Sequence, residues 1–97
     1  MTAPIRRLVL DVLKPIQLDS LELAGVLSEC DGVDGVNVDL VETDKEVQNL
    51  KITIEGADID SGSVETAIEN LGGSVHSIDQ VAMGYRLIEQ THTFQDP

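Results

Sequence analysis

Aromatic residues are almost absent from this chain: one tyrosine, one phenylalanine and no tryptophan in 97 positions. Its core must therefore be built from Leu, Val, Ile and Ala. The stacking of bases on sheet aromatics, by which small sheet-based domains read single-stranded RNA, is excluded. Cysteine occurs once, at Cys30, so there is no internal disulfide and no paired-thiol loop of the kind that carries copper. No apolar run approaches the roughly 18 residues that a membrane span needs. Basic residues are scarce too. Three Lys and three Arg face ten Asp and eight Glu, for a net charge of −12. Nucleic-acid binding rests on Lys and Arg neutralising phosphates, so this balance argues against it. Neither GxxxxGK nor GxGxxG occurs.

What is present is a strand–helix–strand pattern that occurs twice, from Ile5 to Glu42 and again from Leu50 to about Ile88. A chain of this length forms one domain that buries roughly 60–70% of its unfolded surface. Residues 4–90 are expected to form that domain and 91–97 a polar C-terminal tail. Ile5 to Leu13 alternates as a strand, with Leu8, Leu10 and Val12 on one side and Arg7, Val9, Asp11 and Leu13 on the other. Lys14-Pro15 ends it. Asp19 to Glu22 has the spacing of a capping box, and Leu23, Ala24, Leu27 and Cys30 share one helical face. Asp31-Gly32 stops that helix. Val36, Val38 and Leu40 then alternate with Asn37, Asp39 and Val41, and Leu50, Ile52 and Ile54 with Lys51, Thr53 and Glu55. The two runs form a hairpin. Val64, Ala67, Ile68 and Leu71 make the second helical stripe, which ends at Gly72-Gly73. The last extended run goes from Ser74 to about Ile88, with one slip between Val75 and Ile78 as at a bulge. Past the slip, Val81, Met83, Tyr85 and Leu87 make a second apolar face.

Right-handed crossovers leave few ways to arrange two such units. The expected fold is an α+β, ferredoxin-like βαββαβ sandwich. Its antiparallel sheet has strand order 4-1-3-2, with both helices on one face. The other face would carry Arg7, Asp11, Asn37, Asp39, Lys51, Thr53 and Glu55 with Val9, Leu13 and Val41 among them. It is too apolar for plain surface and too charged for core. Arg7, Asp11, Lys51 and Glu55 are its ligand candidates, against the plainer reading of a solvated face with cross-strand ion pairs.

No nucleophile–base pair is visible. Cys30 lies on a helical apolar stripe, as a structural thiol would. His76 and His92 are the only histidines and make neither a triad nor a zinc site. Asp58-Ile59-Asp60-Ser61-Gly62 fails the EF-hand pattern and is better explained by helix capping. A looser divalent-cation site using Asp11, Asp39, Asp58 or Asp60 is the alternative. The loop Lys14-Pro15-Ile16-Gln17 lacks the Arg and Gly of an acylphosphatase phosphate cradle. It also lacks the Gly of amino-acid-sensing domains of the ACT type. The acids are spread along the whole chain, which favours adaptation to high salt, where the Debye length falls to about 3 Å at 1 M. A cation-binding surface and a basic partner are the competing explanations.

Three segments together, IRRLVLDVLKP from Ile5, VNVDLVETDKEVQNLKITIEG from Val36 and GGSVHSIDQVAMG from Gly72, resemble the archaeal domain-of-unknown-function family 211 over about residues 4–90. The resemblance implies a ferredoxin-like fold, self-assembly into larger oligomers and an archaeal source, and no activity. The chain is more acidic than that family's usual pattern, which points to a salt-loving archaeon. The expectation is thus a cytoplasmic, non-enzymatic homo-oligomer without a cofactor, with no nucleic-acid or membrane partner. It would act as a regulatory or small-ligand-binding module with sites at subunit interfaces. Val81, Met83, Tyr85 and Leu87 are the expected interface, because an uncovered apolar edge invites association. A divalent-cation binder is the second reading and a small enzyme the third.

Overall fold

The computed structural model describes residues 2–89. Its elements follow the order read from the sequence: β1 (Ile5–Pro15), α1 (Ser20–Ser28), β2 (Val33–Thr43), β3 (Val47–Gly56), α2 (Ser61–Asn70) and β4 (Ser74–Met83). The sheet runs β2-β3-β1-β4 with every neighbouring pair antiparallel. This is the 4-1-3-2 order read from the other edge, and the fold is ferredoxin-like.

The core lies between the sheet and its two helices. Leu8, Leu10 and Val12 of β1 and Leu50, Ile52 and Ile54 of β3 supply its floor. Leu23 and Leu27 of α1 and Val64 and Ile68 of α2 close it from above, with Leu18 and Ile59 from the loops. The edge strands contribute less, because only one flank of each is covered. Val36, Val38 and Val75 are half-buried, and Leu40 and Ile78 are more than half exposed. α1 packs on β2, α2 on β4, and the helices touch each other.

Both helices start at an aspartate cap. The Asp19 carboxylate accepts from the Leu21 amide and the Asp60 carboxylate from the Ser63 amide, at 2.9 and 3.2 Å. These bonds satisfy donors that the first helical turn leaves free. At the C-terminal end of β3, two glycines let backbones meet. A Cβ on Gly56 would lie 1.8 Å from the Gly32 carbonyl oxygen, and one on Gly32 would lie 1.9 Å from that of Asp58. Gly32 also has a φ of 81°, a region that side chains disfavour.

The strands are less regular than simple alternation. One slip was expected in β4; the β1–β4 ladder shifts at three places. His76 and Asp79 are the extra residues on β4 and Arg6 on β1. Between β2 and β3, Asp34 and Val41 are extra. Val41, expected in the outward alternation of β2, is therefore a bulge residue, and Glu42 takes the place opposite Asn49. Nor does β4 run to Ile88. It ends at Met83, and Gly84 turns the chain with a φ of 116° while its amide donates to the Pro4 carbonyl at 2.8 Å. Tyr85 and Leu87 consequently lie beyond the strand rather than on it.

Candidate functional site

The face of the sheet away from the helices is open, and the register sets its residues in rows. Arg7 pairs with Glu55; Val9 with Thr53, and Thr53 with Asn37. Asp11 pairs with Lys51, and Lys51 with Asp39. Leu13 pairs with Asn49, and Asn49 with Glu42. The four ligand candidates Arg7, Asp11, Lys51 and Glu55 thus share one face, as expected, but at two different levels of it.

Arg7 organises the first level. Its Nε donates to Glu55 Oε2 at 2.7 Å and its two terminal nitrogens donate to Glu89 at 2.7 and 3.2 Å. A weaker bond reaches Gln80 Oε1 at 3.5 Å. Glu89 lies past the turn at Gly84, so the segment after β4 is tied back to the open face. Bonds from Arg7, with its positive charge, hold the Glu89 carboxyl below its usual range. Val9, two residues along the same face, is buried at 8% exposure although no helix lies over it. Arg7 is therefore engaged by the protein's own carboxylates.

Another opening lies at the other end of this face. A cleft of about 510 Å³ is lined by Asp11, Leu13, Glu42, Asp44, Asn49 and His76, with Thr43 and Val47. The bulges at Val41 and His76 shape its two sides. Asn49 Nδ2 donates to Asp11 Oδ1, which fixes one carboxylate, while Glu42 and Asp44 are exposed. The lining carries three carboxylates and no lysine or arginine, so it suits a cationic group.

Of the cation candidates, Asp11 and Asp39 flank Lys51 in one row, and the Asp39 carboxylate accepts from Asn37 at 2.9 Å. Asp58 and Asp60 lie in the loop before α2, where Asp60 serves as the cap. The structure does not gather the four. Among the described residues no three His, Cys, Asp or Glu side chains come together as a metal site.

The third feature is the margin of β4. Ile78, Val81 and Met83 are 55, 49 and 47% exposed. Ile78 also lines a small groove with Leu8, Leu10, Val64 and Val75, to which Ser61 and Glu65 add polar wall. Tyr85 is exposed and Leu87 half-buried past the strand end. Cys30 is half-buried, with Sγ 3.8 Å from the carbonyls of Val26 and Ser63. Burial, helped by the charges of Asp31 and Asp60, raises its thiol pKa. No described helix is long and apolar enough to cross a membrane. His92 and the expected tail 91–97 lie outside the described residues.

A profile of the family DUF211, described as "Uncharacterized ArCR", matches residues 6–97. The chain belongs to this family. A similar member is "Uncharacterized protein MJ0319" of the archaeon Methanocaldococcus jannaschii, 46% identical over 92 residues, which is 95% of each chain. The DUF211 match and the fold agree with the sequence resemblance. The family description assigns no activity to any of the clefts.

Sequence reading missed several parts of the DUF211 chain's open face. Glu42, Asn49 and His76 were not grouped with Asp11, because two bulges bring them there and bulges leave only weak marks in sequence. The Arg7–Glu89 contact joins residues 82 apart. Nothing local announces it.

Proposed function

We propose that this protein is a non-enzymatic, homo-oligomeric binding module of regulatory type, whose subunits join along β4 and whose small ligand sits in the cleft at the end of the open face. The observation that carries the reading is the half-exposed row of Ile78, Val81 and Met83 on a free strand edge. Free edges pair with another chain unless they are charged, bulged away or covered, and since β4 is bulged at His76 and Asp79, its exposed apolar row rather than its backbone ladder is the feature that invites a partner. The cleft reaches β4 at His76, so a partner seated on that edge lies beside it and can complete its wall. The absence of a nucleophile–base pair among the described residues and the raised Cys30 pKa favour binding over catalysis.

Salt adaptation fits the same picture. The only two ion pairs among the described residues both use Arg7, so most of the described acids form no ion pair with another described residue. Subunits of charge −12 repel one another unless salt screens them. Assembly should therefore strengthen with salt, in a cytoplasm that supplies it. Light scattering across a potassium chloride series tests this: oligomer at molar salt is the expected result, and a monomer throughout sinks the reading.

The second reading is a divalent-cation binder, favoured by the three carboxylates of the cleft. Those side chains are too dispersed to form a closed shell in one subunit, so the ion would keep water, as magnesium does. Calorimetry with calcium and magnesium separates the readings. Heat that disappears in Asp11→Asn supports the cation, and none beyond dilution removes it.

A further inference from the structure

At the end of the sheet where β1 gives way to α1, the chain buries a lysine. Lys14 continues the inward parity of Leu8, Leu10 and Val12 and keeps only 2% of its surface exposed. It is the one charged residue among those buried in the described chain. Its Nζ donates to the Leu18 carbonyl at 2.5 Å and to the Pro15 carbonyl at 3.2 Å. Those bonds use two of three ammonium protons, and the third has no acceptor among the described residues. No described carboxylate pairs with it. A buried charge is costly unless it is paired, and in a chain with eighteen acids a partner would be easy to supply.

Lys14 lines a second cleft, of about 620 Å³, which shares Leu13 and Val47 with the open-face cleft and continues around the end of the sheet. Gln17 and Ser74 line it with polar side chains, and Glu46 is its only acidic residue. Leu13, Pro15 and Val47 give it apolar wall. A buried lysine and an exposed glutamate are therefore both among the residues lining one space, with uncharged residues making up the rest of its lining.

We propose that this second cleft binds a small zwitterion of the amino-acid class, with its carboxylate on the free Lys14 proton and its ammonium toward Glu46. A simple anion would meet Lys14 equally well, but the field of a protein of charge −12 opposes its approach. A zwitterion is neutral overall and escapes that penalty. Gln17 and Ser74 can share the carboxylate, and the apolar wall can take a side chain. The site uses neither the β4 margin nor the carboxylates of the open-face cleft, so it stands or falls independently of both.

The test is a nuclear magnetic resonance titration of the ¹⁵N-labelled protein at fixed ionic strength. The standard protein amino acids are added one at a time, with acetate and ethylammonium as single-charge controls. The expected result is saturable shifts at the amides of Leu13 to Leu18, Glu46 to Val47 and Gly72 to Ser74 with at least one amino acid, and much weaker binding of acetate. Glu46→Gln, on the exposed rim, should fold normally and narrow the difference between that amino acid and acetate. Lys14→Met, if folded, should weaken binding by roughly tenfold to a hundredfold, the loss of a charged hydrogen bond. No saturable shift with any amino acid overturns the proposal. So does binding that Glu46→Gln leaves unchanged in strength and selectivity. If Lys14→Met fails to fold, the Glu46→Gln result decides.

Discussion

Replacing Val81 by aspartate should dissociate the assembly while leaving the subunit folded. Ile78, Val81 and Met83 are each about half exposed. Full burial of such a side chain is worth roughly 1.5–3 kcal/mol, so covering the remaining half of all three is worth roughly 2–4.5 kcal/mol from each subunit. In a two-fold contact both copies contribute, giving about 4–9 kcal/mol. Association itself costs an estimated ~4–15 kcal/mol, so the margin is needed but has no large surplus. A carboxylate placed in that contact without a partner costs about 3–5 kcal/mol and should weaken association at least roughly a hundredfold. Sedimentation velocity at several concentrations in molar potassium chloride measures this directly. Val81 lies on an edge and is 49% exposed in the isolated subunit, so the thermal transition of a dissociated variant should stay close to that of the wild-type monomer. An aspartate variant that assembles as well as the wild type would refute the reasoning, as would a wild type that never assembles.

Other substitutions separate structural roles from binding ones. Asp60→Ala should cost about 1 kcal/mol in urea unfolding through the lost cap, while Asp58→Ala stays within about 0.5 kcal/mol; equal effects would argue against the capping role. Ile52→Ala, fully buried on a central strand, should cost about 2–5 kcal/mol, and a loss under 1 kcal/mol would mean the site can collapse. Gly32→Ala combines a positive φ with a Cβ driven into the Asp58 carbonyl. It should cost roughly 2–5 kcal/mol in the same assay, and a neutral result would contradict the close backbone approach. Glu89 supplies the pH dependence. Its carboxyl titrates lower in the folded chain than its ordinary value of about 4.3, so its contact with Arg7 contributes fully above that value. The contribution is lost as pH falls through the lower folded value. Carbon-detected titration of Glu89 should find that depressed midpoint, and a midpoint at or above the ordinary value would remove the contact from the account.

The fold was legible because its core positions follow the simplest periods. Leu8, Leu10 and Val12, and Leu50, Ile52 and Ile54, alternate without interruption, and Val64 to Leu71 keeps a helical stripe. The departures came where the chain breaks period. Val41 reads as an outward strand residue until the β2–β3 register shows it to be a bulge. Met83 to Leu87 keeps alternating in sequence, yet Gly84 turns the backbone out of the strand there. Alternation alone does not give the sign of the Gly84 φ. Lys14 reads with Pro15 as a strand terminator. Its parity with Val12 was the available signal that it points inward. The acidic cleft was only partly readable. Asp11 was named, but its companions come from β2, β3 and β4, and their meeting depends on bulge positions.

Native mass spectrometry of the protein purified from its own host tests the central claim most directly. The expected spectrum shows a multiple of the 10.5 kDa subunit with added mass from a retained small molecule or ion. A bare 10.5 kDa species at every concentration and salt level tried would contradict both the assembly and its role as a binding module.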